Sequence, residues 1–392
     1  MRDALYLAAA YLRHHLGRTA ILVVALGLIL TVPLVSRSLL ASAEDTLSDR
    51  ARTTPLLIGA KGAALDQIMN GLYFTQDLPE RITMAQVDRV WDSGLAVAIP
   101  LHVVFRAGGA PIVGTTLDYF DMRGLAVDKG RGLGLLGEAV LGAEAAKRLD
   151  LGPGDTLLSD PTNLFDLAGS YPLQMTVVGV LAPTGRPDDD AVFVDIRTAW
   201  VIEGLGHGHD DVVDGALVVA ETDQGRTLSA AVAQFTVITP QNVDSFHFHG
   251  DPQTYPVSSI IAVPWDDKSS AILRGRYLGA EERAHVVLPA TVIEGLLATI
   301  FRISQLLDGV IVVIGAAAGL AVALAIYLST RLRADEMATA RRLGAHRFMQ
   351  VQLIGAEIFL QVIAAIVLSA LLTLAVSPYI GDIAIWLIRS TP

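Results

Sequence analysis

Three apolar runs, each long enough to cross a membrane as a helix, constrain the fold of this chain more than any other feature. They cover Thr19 to Leu40, Ile303 to Leu328 and Val351 to Val376. A run of about 18 or more apolar residues is typical of a transmembrane helix, because roughly 20 residues span the hydrocarbon core. The mean hydropathy of +0.49 is high for a soluble protein and arises mainly in these runs. The sequence therefore predicts a membrane protein with an α-helical transmembrane bundle of three spans.

The segment between the first and second runs has the composition of a soluble domain. Short β-prone segments such as Leu95 to Pro100, His102 to Arg106 and Pro111 to Gly114 are bounded by glycine and proline, which is typical of strands. Ser269 to Leu278 and Glu281 to Leu307 are helical in composition. Because strands and helices occur in mixed order, we expect a large extracytoplasmic α+β domain.

The predicted organisation divides the chain into seven parts. In order they are a cytoplasmic amphipathic helix (1–18), transmembrane helix 1 (19–40), the extracytoplasmic α+β domain (41–289), a stalk with transmembrane helix 2 (290–328), a cytoplasmic loop (329–350), transmembrane helix 3 (351–377) and an extracytoplasmic tail (378–392). The tail is too short to cross about 30 Å of hydrocarbon, so we expect it to lie at the outer interface.

Arginines in the short flanks set the expected orientation. Arg2, Arg13 and Arg18 precede the first run, and five arginines lie between Arg331 and Arg347. Because cytoplasmic flanks are rich in Arg and Lys, we expect both segments in the cytoplasm, with the large domain and the C-terminus outside. The alternative is a signal peptide cleaved after residues 41–43, Ala-Ser-Ala. The first run is longer than the usual apolar core of about 7–15 residues, which favours an uncleaved anchor.

Charge and cysteine content exclude several functions. Asp and Glu number 40 against 29 Lys and Arg, giving a net charge of −11. Nucleic-acid binding needs a basic surface, so no nucleic-acid partner is expected. The chain has no cysteine, which excludes disulfides, thiolate metal sites and cysteine nucleophiles.

The loop between the second and third runs carries an acidic residue, a basic pair and a Leu-Gly-Ala turn, followed by an acid inside the third run. These are Glu336, Arg341-Arg342, Leu343-Gly344-Ala345 and Glu357. Further matching segments lie in the large domain: 114–120, 129–131, 140–143, 146, 149, 151–155 and 177–180. With these segments in register and this topology, the chain resembles the MacB/FtsX/LolC-type ABC transporter permeases, and its large domain resembles their periplasmic core.

The resemblance implies a non-catalytic permease subunit in the inner membrane. It implies a homodimer or pseudo-dimer of permeases, with ATPase domains bound below and a periplasmic adaptor or lipoprotein as a further partner. The chain contains no Gly-x-x-x-x-Gly-Lys-Ser/Thr phosphate loop. We therefore expect ATP to be bound by a separate ATPase subunit, and ATP-driven motion to reach the external domain. Members of this family usually have four spans, whereas three are predicted here.

The resemblance also assigns a coupling role to the loop. The residues expected to contact the ATPase are Arg331, Arg333, Glu336, Arg341, Arg342, Gly344, Ala345 and Arg347. Arginines suit such a contact because their guanidinium groups pair with carboxylates. The alternative is that they only contact lipid headgroups. Glu357 either makes a functional or interhelical contact within the membrane or reaches the cytoplasmic interface.

Two histidine-bearing segments, predicted to be polar loops, suggest a metal site. They share a His-x-His pattern with a following carboxylate: His207, His209 and Asp211 in one, and His247, His249 and Asp251 in the other. Such groups can supply ligands to zinc, and solvated loops without a metal are the alternative. The second segment resembles the start of a metallo-β-lactamase-type motif, but Pro252 stands at the position of the next histidine.

Two other functions stay open at this point. One is a membrane-anchored sensor or scaffold that needs no ATPase, and the other is a zinc-binding periplasmic module. The acidic run Asp188-Asp189-Asp190 is expected to form a solvated turn, because it lacks the spacing of a calcium-binding loop.

Overall fold

The computed structural model describes residues 2–75, 77–78, 80–161, 172–208, 218–222, 225–228, 236–332, 339, 342, 347–380 and 383. The chain forms two compact units. The helical unit comprises Met1–Leu47 and Gly295–Pro392, and the sheet unit comprises Ser48–Glu294.

The helices follow one another along both units. In chain order they are α1 Arg2–His14, α2 Leu16–Arg52, α3 Ala64–Tyr73, α4 Met84–Asp92, α5 Leu117–Arg123, α6 Ala143–Leu149, α7 Ile196–Ile202, α8 Asp267–Arg276, α9 Pro289–Leu332 and α10 Arg347–Val376.

The strands all lie in the sheet unit. They are β1 Leu56–Ala60, β2 Ile82–Thr83, β3 Ala96–Ala107, β4 Ala110–Thr115, β5 Val127–Gly130, β6 Glu138–Leu141, β7 Thr156–Leu158, β8 Gln174–Leu181, β9 Val192–Asp195, β10 Gly206–Gly208, β11 Val218–Thr222, β12 Gly225–Leu228, β13 Phe246–Phe248, β14 Pro256–Val257, β15 Ser259–Pro264 and β16 Ala284–Val287.

Small residues bring two helices of the helical unit together. On α2, Gly27 would place a Cβ 3.0 Å from the side chain of Leu368 on α10. Thr31 donates a hydrogen bond to the Gly27 carbonyl at 2.7 Å, and its Oγ1 lies 3.2 Å from Ser369 Oγ on α10. Close packing of small residues with hydroxyl contacts is typical of helix pairs in membranes. Helix α1 packs against α10 as well.

Among the described residues, three helical segments are long and apolar enough to cross a membrane: Leu16–Arg52, Pro289–Leu324 and Val351–Tyr379. In the most apolar part of the second segment, no residue is buried by protein. Contact of such an apolar surface with water is unfavourable, so the surface suits lipid or another protein chain.

The sheet unit is built on one mixed sheet with helices packed against it. Its strand order is β16-β1-β15-β3-β4-β9-β6-β8-β5, with β7 also paired to β8. One hydrophobic core lies around β4, β6, β8 and α6, and a second lies around β1, β15 and α4. The predicted α+β class of this domain is confirmed.

Two details of the predicted secondary structure are wrong. Residues 284–287 form strand β16 at the sheet edge rather than a helix, because their backbone pairs with β1. Helix α9 begins directly after it at Pro289, where proline is tolerated since the first N–H groups of a helix have no partner within it. The histidine-bearing segments 206–208 and 246–248 are paired strands, β10 and β13, rather than loops.

Candidate functional site

Helix α2 ends inside the sheet unit on a buried arginine. Arg50 lies in the last turn of α2 and is only 2% exposed. Its guanidinium donates to both carboxylate oxygens of Asp188, with Nη2 3.0 Å from Oδ1, and Nε donates to the Leu72 carbonyl. Asp188 is fully buried. Bidentate pairing of this kind is strong because two charge-assisted hydrogen bonds form at once.

Tyr119 completes the network around this ion pair. Its hydroxyl accepts a hydrogen bond from Arg50 Nη2 at 2.7 Å and donates one to Asp188 Oδ1 at 2.6 Å. The tyrosine lies on α5, and its ring packs 5.6 Å from that of Phe193 on β9. Burial, above all, raises the pKa of Tyr119 to about 12. The hydroxyl therefore keeps its proton at neutral pH and acts as a donor to Asp188.

Asp188 belongs to the acidic run that was expected to be solvated, and that expectation is wrong. Residues Pro187–Asp190 form one turn of 3₁₀ helix that leads into β9. The next carboxylate, Asp189, accepts hydrogen bonds from the backbone N–H of Thr184 at 2.9 Å and of Gly185 at 2.7 Å. Asp190 pairs with Arg148 at 2.9 Å. Each of the three acids therefore has a specific partner.

A second buried cation lies beside the pair. Arg123, at the end of α5, is 8% exposed and donates to Thr54 Oγ1 at 2.8 Å. Burial and the charge of Arg50 lower the pKa of Arg123. Burial opposes ionisation of Asp188, yet the charge and hydrogen bonds of Arg50 hold its pKa below the usual value. The carboxylate thus stays ionised and joins α2 to the sheet unit electrostatically.

This site was not predicted from the sequence, although one signal was present. Tyr119 lies within the segment 114–120 that carries the family resemblance. Arg50 lies between Asp49 and Arg52 in a polar stretch, which is typical of an exposed helix end. The partner, Asp188, is 138 residues away in sequence, and local pattern alone could not identify it.

The structure brings together one histidine of the first predicted pair and both of the second. His207, His247 and His249 each offer a ring nitrogen within 4.8 Å of the others. Asp251 instead accepts the backbone N–H of Gln253 at 3.0 Å and caps a short turn. His209 and Asp211 lie outside the described residues.

The predicted ATPase-contacting loop is described only in part. Arg331, near the C-terminal end of α9, is exposed and donates from Nε to Tyr327 Oη at 3.1 Å. Arg342 is also exposed, and Arg347 is the first residue of α10. The remaining predicted loop residues, Arg333, Glu336, Arg341, Gly344 and Ala345, lie outside the described part of the chain.

Glu357 is covered by protein rather than facing lipid. It lies on α10, is 8% exposed, and is followed one turn later by Gln361 at 6%. Burial of two polar side chains on one face of a membrane helix is typical of an interhelical contact. Both interpretations of Glu357, an interhelical contact and reach to the cytoplasmic interface, stay predictions.

Comparison with known proteins gives a family match. The profile of the MacB-like periplasmic core domain matches residues 19–238. Two solved structures are similar: the periplasmic region of MacB from Actinobacillus actinomycetemcomitans (14% identity, 64% of this chain and 97% of that chain, TM-score 0.35) and the extracellular domain of the noncanonic ABC-type transporter YknZ from Gram-positive bacteria (13% identity, 60% and 99%, TM-score 0.33). No curated protein sequence matches the chain.

Because both TM-scores are below 0.5, the assignment is based on the profile match, which covers more than half of the 392 residues. The matched segment includes Arg50, Tyr119 and Asp188. The chain therefore belongs to the family with the MacB-like periplasmic core domain, the MacB/FtsX-type ABC transporter permeases.

Proposed function

We propose that this chain is the permease subunit of a MacB-like ABC transporter. It relays ATP hydrolysis by a separate ATPase to an extracytoplasmic domain, which then acts on an adaptor, a lipoprotein or cargo. The observation that supports this most is the family match over residues 19–238, which extends from the first apolar run into the sheet unit.

The two connections between the units support a mechanical relay. The chain passes from one unit to the other within helices α2 and α9, both of which continue across the boundary. At the end of α2, the Arg50–Asp188 pair fixes the helix to the sheet unit. Helix α9 follows directly on β16, which pairs with β1. Each connection is therefore a continuous helical segment, so that motion of the helical unit can reach the sheet unit through the backbone of α2 and α9.

The proposed orientation places the N-terminus and the arginine loop in the cytoplasm and the sheet unit outside. It rests on the arginine-rich flanks, which follow the positive-inside bias. In this arrangement the loop between α9 and α10 contacts the ATPase, and two permease chains share one pair of ATPases. Lipid covers the apolar helices.

Charge reversal in the loop tests the proposal. Tagged full-length chain would be purified in mild detergent with its bound proteins, and the ATPase would be identified by mass spectrometry and reconstituted with the chain in nanodiscs. We expect Arg341→Glu/Arg342→Glu to lower ATPase binding and permease-dependent ATP hydrolysis at least about tenfold, because several charge-assisted contacts are reversed.

The matched control is Arg274→Glu/Arg276→Glu, an equal change of charge at exposed positions in the last turn of α8. This control should bind and stimulate the ATPase as the unchanged chain does. Unaltered coupling in the loop variant would refute its role. Absence of any ATPase from the purified complex would favour a sensor or scaffold instead.

A further inference from the structure

A short two-stranded ribbon presents three histidines on one face. Strands β10 and β13 pair antiparallel, with His207 directly opposite His247. His249 is two residues beyond His247, so it emerges on the same face because side chains alternate along a strand. The backbone N–H of His249 donates to the Leu205 carbonyl at 3.0 Å and extends the pairing.

Aromatic side chains hold the opposite face of the ribbon against the protein. Phe246 and Phe248 alternate with the histidines, and each packs against one of the two cores. Each ring lies over a glycine of β10: a Cβ on Gly206 would come within 2.7 Å of the Phe248 ring, and one on Gly208 within 2.6 Å of the Phe246 ring. The pattern Gly-His-Gly opposite Phe-His-Phe therefore fixes which face the imidazoles occupy.

The histidine positions are fixed further by hydrogen bonds. Nδ1 of His247 lies 3.1 Å from the Ser245 carbonyl oxygen. Since a carbonyl only accepts, Nδ1 is the donor in this contact, and Nε2 is the nitrogen that would bind a metal. A histidine that donates one N–H to a carbonyl while its other nitrogen binds metal is the usual arrangement in metal sites. The hydroxyl of Tyr255 also donates to the His249 carbonyl at 3.2 Å.

We propose that His207, His247 and His249 bind one divalent late transition-metal ion, with zinc as the best-fitting member of the class. Their ring centroids are 4.8 Å apart in all three pairs, and the candidate nitrogens lie within 4.8 Å of one another. Nitrogens bound tetrahedrally to zinc at about 2.0–2.1 Å are about 3.3 Å apart. Small side-chain rotations close that difference, and three imidazoles suit zinc, copper or nickel.

The bound ion would join two segments that are distant in sequence. His207 lies on β10, shortly after α7, and its partner strand β13 begins only at residue 246. Residues 209–245 therefore separate the two paired strands in the sequence. A metal that bridges both strands therefore fastens the ends of that segment to each other and to the sheet unit. A metal that binds only the native state stabilises that state by mass action. Occupancy of the site would therefore raise the stability of this part of the domain. The inference is independent of the proposed permease function.

The test uses the full-length chain, purified in detergent with a tag that lacks histidine and stripped with a chelator. Zinc chloride is titrated by calorimetry, and binding is repeated with cobalt(II) for its absorption spectrum. We expect one ion per chain with a Kd below about 10 µM. X-ray absorption of the zinc complex should show imidazole nitrogens near 2.0–2.1 Å.

Variants decide whether the ribbon is the site. His207→Gln, His247→Gln and His249→Gln should each weaken zinc binding at least about tenfold, and the triple variant should lose the site while keeping the metal-free circular dichroism of the unchanged chain. The control His14→Gln/His15→Gln, at exposed positions in the helical unit, should bind normally. Zinc binding that persists in the triple variant, or absence of binding by the unchanged chain, would overturn the proposal.

Discussion

The buried pair between Arg50 and Asp188 makes a quantitative prediction. Asp188→Asn keeps the shape of the side chain but leaves the Arg50 guanidinium, which is 2% exposed, without its counter-charge. Breaking a buried ion pair in this way costs about 3–5 kcal/mol. Because about 1 kcal/mol shifts the melting temperature of a domain this large by roughly 2–4 °C, the sheet unit should melt roughly 6–20 °C lower.

The assay is thermal unfolding of the full-length protein in detergent, followed by the fluorescence of tryptophan. Trp200 is buried in the sheet unit at 6% exposure and reports on its unfolding. The neighbouring change Asp190→Asn is the matched control, because Asp190 pairs with Arg148 at the surface, where the two side chains are 16% and 43% exposed. Such a solvent-accessible pair contributes about 0–1 kcal/mol, so this variant should melt within about 4 °C of the unchanged protein.

A triple variant separates charge from packing. Arg50→Met/Tyr119→Phe/Asp188→Leu removes both charges and the Tyr119 hydroxyl, which would otherwise stay buried without the partners that Arg50 and Asp188 provide. Replacing a buried pair by apolar groups is often nearly neutral, so we expect this variant to regain more than half of the stability lost in Asp188→Asn. The charge argument is refuted if Asp188→Asn melts like the Asp190→Asn control, or if the separately measured losses of Arg50→Met, Tyr119→Phe and Asp188→Leu simply add in the triple variant.

Three further predictions follow from the described residues. Because the pKa of Asp188 is held low, the stability that its ionised carboxylate contributes is present above about pH 4 and is lost as the pH falls through the lowered pKa. The difference in unfolding free energy from Asp188→Asn, measured by urea unfolding, should therefore shrink between pH 6 and pH 3. A constant difference would contradict this. Gly142→Ala should destabilise the protein by about 1–3 kcal/mol in the same assay, since a Cβ there would overlap backbone oxygens of the Asp188 turn. The control Gly132→Ala places its Cβ in open space and should leave the unfolding free energy nearly unchanged. Equal effects of the two substitutions would refute the packing argument. The chain has no cysteine, so Leu278→Cys should react with an impermeant maleimide added outside, and Arg342→Cys only after permeabilisation; the reverse pattern would invert the proposed orientation.

The long helices and the α+β class could be predicted because their signals are local. An apolar run of membrane length specifies a helix regardless of its neighbours, since backbone groups in lipid must satisfy one another. Likewise, glycine- and proline-bounded β-prone segments predicted β3 and β4. Strand β16 was missed because the helical pattern of the neighbouring residues was extended across it, although Val286 and Val287 favour a strand; a four-residue edge strand depends on pairing with β1.

The sites required information that lies far apart in the chain. The pattern of His207 and His247 suggested a metal, but only the register of β10 and β13 places the two side chains next to each other. The acidic run at Asp188 resembled a solvated turn because consecutive carboxylates usually are solvated. Its burial depends on Arg50 and Tyr119, which arrive from α2 and α5. In both cases, contacts between elements that are distant in the sequence determined which side chains lie together.

In the proposed transporter, ATP binding below the membrane changes the extracytoplasmic sheet unit. Electron–electron spin distances between two copies labelled at Leu278→Cys, a position that is 83% exposed, would detect this change in a complex with a hydrolysis-deficient ATPase. We expect a distance distribution that shifts when ATP binds, and no shift for Arg341→Glu/Arg342→Glu. An identical distribution with and without ATP, in complexes shown to hold both the ATPase and the nucleotide, would contradict it.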